Sequence, residues 1–505
     1  MPTMDFDQQG AAEMYEETTF VRRDVWTLQA DDPWDPITEA YALAVATMQA
    51  RPITDPTSWA YQAAIHATFT ATPPGAVWND CQHGSWYFLS WHRMYLYYFE
   101  RIVRAAVLSI GGPADFALPY WNYDQPFPNN TLPQPFREPT LPDGSPNPLS
   151  LPSPGRSSPI ANGAQLPPAA TSSGAAMAMT NFIGPPGPGF GGGSQPPVHF
   201  SGSAGALEQT PHNVIHVMVG GAPNGQCQGG LMVDPRCAAL DPIFWLHHSN
   251  IDRLWNRWLA LGGGRANPDE PAWLDQPFTF HDETGVVVTL TGAEVVDSAE
   301  QLHYVYDDQP SAQGLGVSMN DASPTPREPS GPPEMVAATE RPVELVGGAR
   351  SVPLRVPSST MSLLTSDDAT TGARDLYLNV EDIEAEQNPG VVYGVYLNMS
   401  PDDPGADRVR HHVGNIALFG IELMNDPDKA HPGVPGFRHT FDVTRVVGEL
   451  SEAGMWDPDA LTVTFEPITP IPPPGQEDLT AVVSAEFEEG AAPPVRIGRV
   501  SLFVG

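Results

Sequence analysis

The chain has 505 residues, more than the ~100–200 of one typical domain, so two or three domains are expected. Its 24 basic and 60 acidic residues leave a net charge of −36, which repels phosphate backbones and anionic lipid surfaces and excludes nucleic acid as a partner. No stretch approaches the ~18 apolar residues of a membrane span. The acidic segment Met1–Glu17 lacks the apolar core of an export signal. No membrane association and a cytoplasmic location are therefore expected. Cys81, Cys227 and Cys237 are too few for a disulfide framework, which agrees with a reducing compartment. A bond between Cys227 and Cys237 is neither required nor forbidden.

Four stretches read as helices, and each carries or adjoins histidine. The first spans Thr57 to Phe69 behind Asp55-Pro56, with Trp59, Ala63 and His66 at helical spacing. The second spans Ser85 to Ile110, with Ser85 as N-cap and Gly111-Gly112 as its stop. The third has Thr210 as cap and Pro211 at its first position, and stops at Gly220-Gly221; the fourth repeats that grammar with Asp241, Pro242 and Gly262 to Gly264. Four such helices predict a mainly α catalytic domain built as a four-helix bundle, a scaffold that holds metal in its core. Between the second and third helices, Gln125 to Ser203 contains 18 prolines and reads as a long wrapping loop, partly mobile and without helix or strand. Asp308 to Pro333, rich in Pro, Ser and Gly, reads as a linker. Beyond it the β-branched runs Leu376 to Val380, Val391 to Leu397, Leu461 to Phe465 and Val495 to Phe503 predict an all-β sandwich.

The histidines carry the chemistry. His212 and His216 lie i, i+4 on one helix face, as two ligands of one metal require. His83 and His92, nine apart, would face opposite sides of one helix. Gly84-Ser85 lets the helix begin after His83, so that its ring can fold back toward His92, and His66 completes a triad. Neutral imidazoles without a carboxylate or thiolate companion suit copper, zinc or nickel, and two facing triads suggest a dinuclear centre.

Cys81-Gln82-His83-Gly84 with Phe88, Trp91-His92-Arg93, Tyr95 and Glu100 resembles the first copper motif of the tyrosinase, polyphenol oxidase and molluscan haemocyanin superfamily. Asp241 through Trp255 resembles its second, with His212-Asn213-Val214-Ile215-His216 between them in the expected order. The resemblance implies two copper ions, one held by His66, His83 and His92 and the other by His212, His216 and His248, with His247 in a supporting place. Cys81, two residues before His83, resembles the pattern in which sulfur bonds to the imidazole as a thioether. Plant enzymes place that cysteine where Thr70 stands here. Trp273-Leu274-Asp275, Tyr304-Val305-Tyr306 and Phe441-Asp442-Val443 nevertheless resemble plant motifs, and imply a C-terminal domain that caps the copper site.

The implied reaction uses O2 to oxidise o-diphenols to o-quinones and to hydroxylate monophenols, with small phenols as substrates. The family pattern makes Glu208 and Asn213 the holders of a water that takes the phenol proton. An o-aminophenol oxidase and a haemocyanin-like O2-binding protein are the alternatives. Met232, Val233 and Pro235 are candidates to face the substrate ring, and their lack of a bulky aromatic suggests an open site. Arg93 and Asp252 are expected to pair behind the metals. The expected organisation is a copper domain over 1–307, a linker over 308–340 and a capping β-sandwich over 341–505.

Overall fold

A computed structural model describes residues 18–184, 188–309, 333–365, 374–399, 405–424, 437–476 and 492–505. Two cores organise them, one helical and one between sheets. The helices that bear on the two cores are α1 (Pro36–Gln49), α2 (Trp59–His66), α3 (Phe88–Ser109), α4 (Val214–Gly220), α5 (Ile243–Ala260) and α6 (Thr444–Glu452).

Each helix start has a local cause. Asp35 accepts from the Ile37 amide (2.8 Å) ahead of Pro36, and Ser58 Oγ accepts from the Tyr61 amide (3.1 Å). Asp241 Oδ1 accepts from the Ile243 amide (3.0 Å), so it caps α5 as expected. The segment before α4 is less regular than the sequence suggests: a wide turn covers Glu208–Asn213, interrupted by extended backbone at Thr210 (φ −147°, ψ 123°). α3 begins at Phe88, not Ser85, because Gly84 and the next three residues turn sharply to present His83. Sequence reasoning passed over α1. Its inward face contains Ala40, Ala44 and Val45 beside Tyr41 and Met48, and small residues make the apolar period faint.

The proline-rich stretch corrects a second expectation. Its described residues form short helical turns at Gln134–Phe136, Ser158–Ala161, Pro168–Thr171 and Gly174–Ala178, and the two-residue strands Ile183–Gly184 and Gly192–Gly193. Prolines at the first positions of three of these turns supply helical φ without a lost donor, and Phe136, Ile160, Leu166 and Phe190 are buried in the helical core. It is packed structure, not a loose wrap.

Strand β1 (Phe20–Arg22) precedes the helices, the hairpin β2 (Pro277–His281) and β3 (Val287–Thr291) follows them, and β4 (Tyr304–Tyr306) pairs in parallel with β1. This pairing seats Arg22, fully buried, on Glu100 of α3 (2.7 Å). Arg93 Nε donates to Asp252 Oδ1 (2.6 Å), and Tyr304 and Tyr306 hydroxyls donate to its Oδ2 (2.6 Å each), so the expected Arg93–Asp252 pair exists within a larger network. Burial pushes both carboxyls up. Arg22 and Arg104 on Glu100, and Arg93 and Arg22 on Asp252, outweigh it and hold both below the usual carboxylate range.

The C-terminal strands are β5 (Glu334–Ala338), β6 (Val343–Leu345), β7 (Arg350–Pro353), β8 (Leu376–Glu384), β9 (Tyr393–Leu397), β10 (His412–Ile416), β11 (His439–Asp442), β12 (Thr462–Pro467) and β13 (Val495–Val504). One sheet runs β11-β8-β13-β5 with β6 also on β13, the other β10-β9-β12-β7, and both are antiparallel. Leu378, Val380, Val500 and Leu502 share a core with Val395, Leu397, Val463 and Phe465. The term all-β is too narrow, since α6 buries Val446, Val447 and Leu450 beside these sheets. Residues 310–332, most of the expected linker, lie outside the described residues. Val392, Ala417, Phe419 and Ile468 leave the sheet core and join the helical one.

Breaking a buried pair strands its partner's charge, at a cost of ~3–5 kcal/mol. Asp252→Ala should lower the unfolding free energy by about that amount at pH 7, read by chemical denaturation. A depressed carboxyl contributes stability that is lost as pH falls through its folded pKa, here below ~4. The penalty should therefore shrink in acid; one that is small at pH 7 or constant with pH would contradict this account.

Candidate metal centre

His66 ends α2, His83 lies on the loop before α3, and His92 sits one turn into α3. Their ring centroids are 5.0–5.8 Å apart. His212 precedes α4, His216 is on it, and His247 and His248 are on α5. The Nε2 atom of His248 is 3.3 Å from Nε2 of both His212 and His216. The two groups face each other, with His92 stacked on His248 at 4.5 Å and 12°. The expected six histidines converge, and His247 also has a ring nitrogen within reach of the second group. Its Nδ1, however, is 3.1 Å from the Tyr123 hydroxyl.

Backbone oxygens orient the rings. Nδ1 of His66 faces Pro235 O (2.9 Å), that of His92 faces Phe88 O (2.7 Å) and that of His216 faces Met232 O (2.9 Å), while Asn213 Oδ1 is 2.9 Å from His212 Nδ1. A proton on each Nδ1 leaves the Nε2 lone pair pointing inward, the arrangement that metal-binding imidazoles require. Nε2 of His66 and His92 and both nitrogens of His83 have no hydrogen-bond partner among the described residues. Burial lowers the pKa of all seven imidazoles, that of His92 to about 3, so the rings are neutral. Unpartnered, neutral, convergent nitrogens fit two metal ions, and they have no other evident use.

His83 is held differently. Its backbone pairs with His199 and Ser201 (3.1 Å each), and its ring lies flat on Phe200 at 4.5 Å and 6°. Gly84 makes the approach possible. Its φ is +68°, a Cβ there would sit 1.8 Å from Ser201 O, and its amide donates to Glu208 Oε1 (2.8 Å) and Oε2 (3.1 Å). Burial pushes the Glu208 carboxyl up to about 8 despite these bonds. His83, Glu208, Asn213 and Phe419 line a cavity of about 20 Å³, room for one water by the ~10–15 Å³ criterion. Cys81 is buried and free, with Sγ 3.4 Å from His199 Nδ1.

Three features escaped sequence reasoning. Met232 and Pro235 aim His216 and His66 through their backbone carbonyls. The ring over the histidines is Phe419, stacked on His216 at 4.0 Å and 21° and 5.6 Å from His83, so the site is covered where an open one was expected. Phe200 supports His83. No periodicity marks either phenylalanine, because both lie in irregular segments.

A family model described as the common central domain of tyrosinase matches residues 56–181 and 189–261, and one described as the polyphenol oxidase middle domain matches 267–313. Residues 332–504 match a domain of unknown function (DUF7868). The chain is 34% identical over 455 residues to a tyrosinase of Hahella sp. (strain CCB-MM4), covering 85% of this chain and 92% of that one. This chain belongs to the tyrosinase and polyphenol oxidase family.

A chloroplastic polyphenol oxidase of Malus domestica is 27% identical over 416 residues, covering 75% of this chain and 65% of that one. The structure of latent apple tyrosinase shares the fold, with a TM-score of 0.59 at 24% identity over 97% of this chain and 98% of that one. The protein is thus a type-3 copper phenol oxidase, its cofactor a pair of copper ions and its substrates phenols and O2. The comparisons do not favour an aminophenol oxidase or an oxygen carrier. They also overturn the cytoplasmic expectation, since several plant relatives are named chloroplastic. The cysteine argument fails with it, because Cys227 and Cys237 form a disulfide. No helix among the described residues is long and apolar enough to cross a membrane.

A buried imidazole with a lowered pKa costs stability on acidification, because below ~6.5 the unfolded chain takes up a proton that the folded chain refuses. Metal-free wild type should therefore lose stability relative to metal-free His92→Gln as pH falls from 7 to 4. The difference should approach ~1.4 kcal/mol per pH unit, measured by urea unfolding. Parallel curves would show that His92 is not buried neutral.

Proposed function

We propose that His66, His83 and His92 hold one copper ion and His212, His216 and His248 the other, so that the chain oxidises o-diphenols to o-quinones and also hydroxylates monophenols. The inward, unpartnered imidazole nitrogens in two facing groups carry this reading. When bound, the copper pair would carry electrons from phenols to O2, one O2 accepting four: two from each of two o-diphenols, with two waters released, or four from a monophenol that keeps one oxygen atom as it becomes the o-quinone, with one water released. The protein's residues orient, exclude water and move protons. In this reading α2, α3, α5 and α4 with its preceding turn act as a four-helix bundle around the metals, and His247 is a buttress held by Tyr123.

Cys81 would form a thioether to His83, a ring that lacks a backbone oxygen to fix it; the new C–S bond replaces the thiol S–H and a ring C–H, and O2, the enzyme's own oxidant, would take up the two electrons and two protons released. Asn213 orients His212 and, with Glu208, would hold a water over the site. A carboxyl raised to about 8 is, in its ionised form, a stronger base than an ordinary carboxylate and so closer in proton affinity to a phenol of pKa ~10. A catechol needs this base less. Glu208→Gln keeps the shape and the bond from Gly84 but removes the base, so monophenol kcat/KM should fall by ~10²–10⁴ while catechol oxidation changes far less, both followed by quinone absorbance. Equal losses would sink the base role.

The copper domain would comprise 1–307, the linker 308–340 and the cap 341–505. Phe419 fills the place over His216 that a substrate ring would take, which supports a latent enzyme that works once the C-terminal part moves away. Phe419→Ala should raise catechol oxidation by the uncleaved chain several-fold with unchanged copper content. Unaltered activity would show that Phe419 does not block the site.

A further inference from the structure

A second cavity, about 260 Å³, lies away from the histidines where three parts of the chain meet. Trp26 comes from the segment after β1, Phe127, Pro128 and Arg137 from the proline-rich stretch, and Pro473 and Gln476 from the segment after β12. That last segment is pinned across the helical core by two backbone bonds between Gln165 and Ile471 (2.7 and 2.9 Å).

Arg137 distinguishes this cavity. No acidic residue lines it, on a chain with 60 acids. Most described arginines, Arg22, Arg93 and Arg156 among them, pair with a carboxylate, whereas Arg137 makes no ion pair among the described residues. Its neighbour Glu138 is turned to Trp34 Nε1 (2.8 Å) and to Gln134. The guanidinium is fixed: Nε donates to Leu132 O (2.9 Å), and the group lies over Gly163, where a Cβ would come within 2.7 Å of Nη1. Burial lowers its pKa, and Glu138 only partly offsets this. A half-buried, pre-set guanidinium without a counter-ion is costly unless an anion joins it. The walls are mixed, with Trp26, Phe127 and Pro128 beside uncharged polar groups such as Gln29 and Asn162, and Phe127 is 51% exposed.

We propose that this cavity is a binding site for a small aromatic carboxylate, with its carboxylate on Arg137 and its ring against Phe127 and Trp26. Bidentate pairing of guanidinium with carboxylate supplies specificity, and flat aromatic and proline surfaces accept the ring. The site is separate from the copper pair and does not depend on which histidines bind it. Because Pro473 and Gln476 form one wall, an occupied site ties the C-terminal part to the helical core.

The probe is 3-phenylpropionate, which has no phenolic hydroxyl to oxidise, titrated calorimetrically into full-length, copper-loaded protein. Wild type should bind it saturably. Arg137→Gln should weaken binding about tenfold or more, Phe127→Ala should weaken it several-fold, and neither should change kcat for catechol. The uncharged 3-phenylpropanamide, which needs no variant protein, should bind wild type about tenfold or more weakly than the acid. Equal affinity of acid and amide, affinity unaltered in Arg137→Gln, or no saturable binding would each overturn the proposal.

Discussion

The structure depends on keeping seven imidazoles neutral and dry in one place. Removing a polar nitrogen from water without a partner costs ~1–3 kcal/mol, and Nε2 of His66 and His92 and both nitrogens of His83 stand in that condition. The chain can hold such a cluster only if the surrounding elements are over-determined. α3 and α5 are fastened behind the histidines by Arg93 on Asp252, and Arg22 fastens the N-terminal strand to the same group. The carboxylates of this ionic network, Glu100 and Asp252, are committed to arginines, tyrosines and the Leu118 amide.

Loop chemistry completes what the helices begin. His66, His92 and His216 each take one orienting oxygen from the backbone, and two of those oxygens belong to the short segment between Met232 and Pro235. His83 has none and depends on Phe200, on strand-like pairing with 199–201 and on the turn that only Gly84 allows. The proline-rich stretch is therefore part of the site's construction. It delivers Phe200, and the buried Phe136, Ile160 and Phe190 tie it to the helical core.

The sequence makes the two histidine groups legible because their signal is local. His212 and His216 share a helical face, Gly84 separates His83 from the helix of His92, and Pro211 and Pro242 sit at or just before helix starts. α1 follows the same grammar at Asp35-Pro36 but hides behind small buried residues such as Ala40 and Ala44. Phe419 was not legible at all. It reaches His216 across a long stretch of chain from an irregular segment between β10 and β11, and its place is set by tertiary packing that no period encodes. The C-terminal strands were legible where apolar, β-branched runs are unbroken, as in β8, β9 and β13, and missed at β6, β7 and β10, three to five residues each without such a run.

The central claim is that the two facing histidine groups are two separate copper sites. Copper bound per chain, measured by mass spectrometry after titrating the metal-free protein and removing excess ion, tests it most directly. The account predicts two copper ions in wild type, and one in both His92→Ala and His216→Ala provided each variant keeps its folded circular dichroism. A single ion in wild type, or two that persist in either variant, would contradict it.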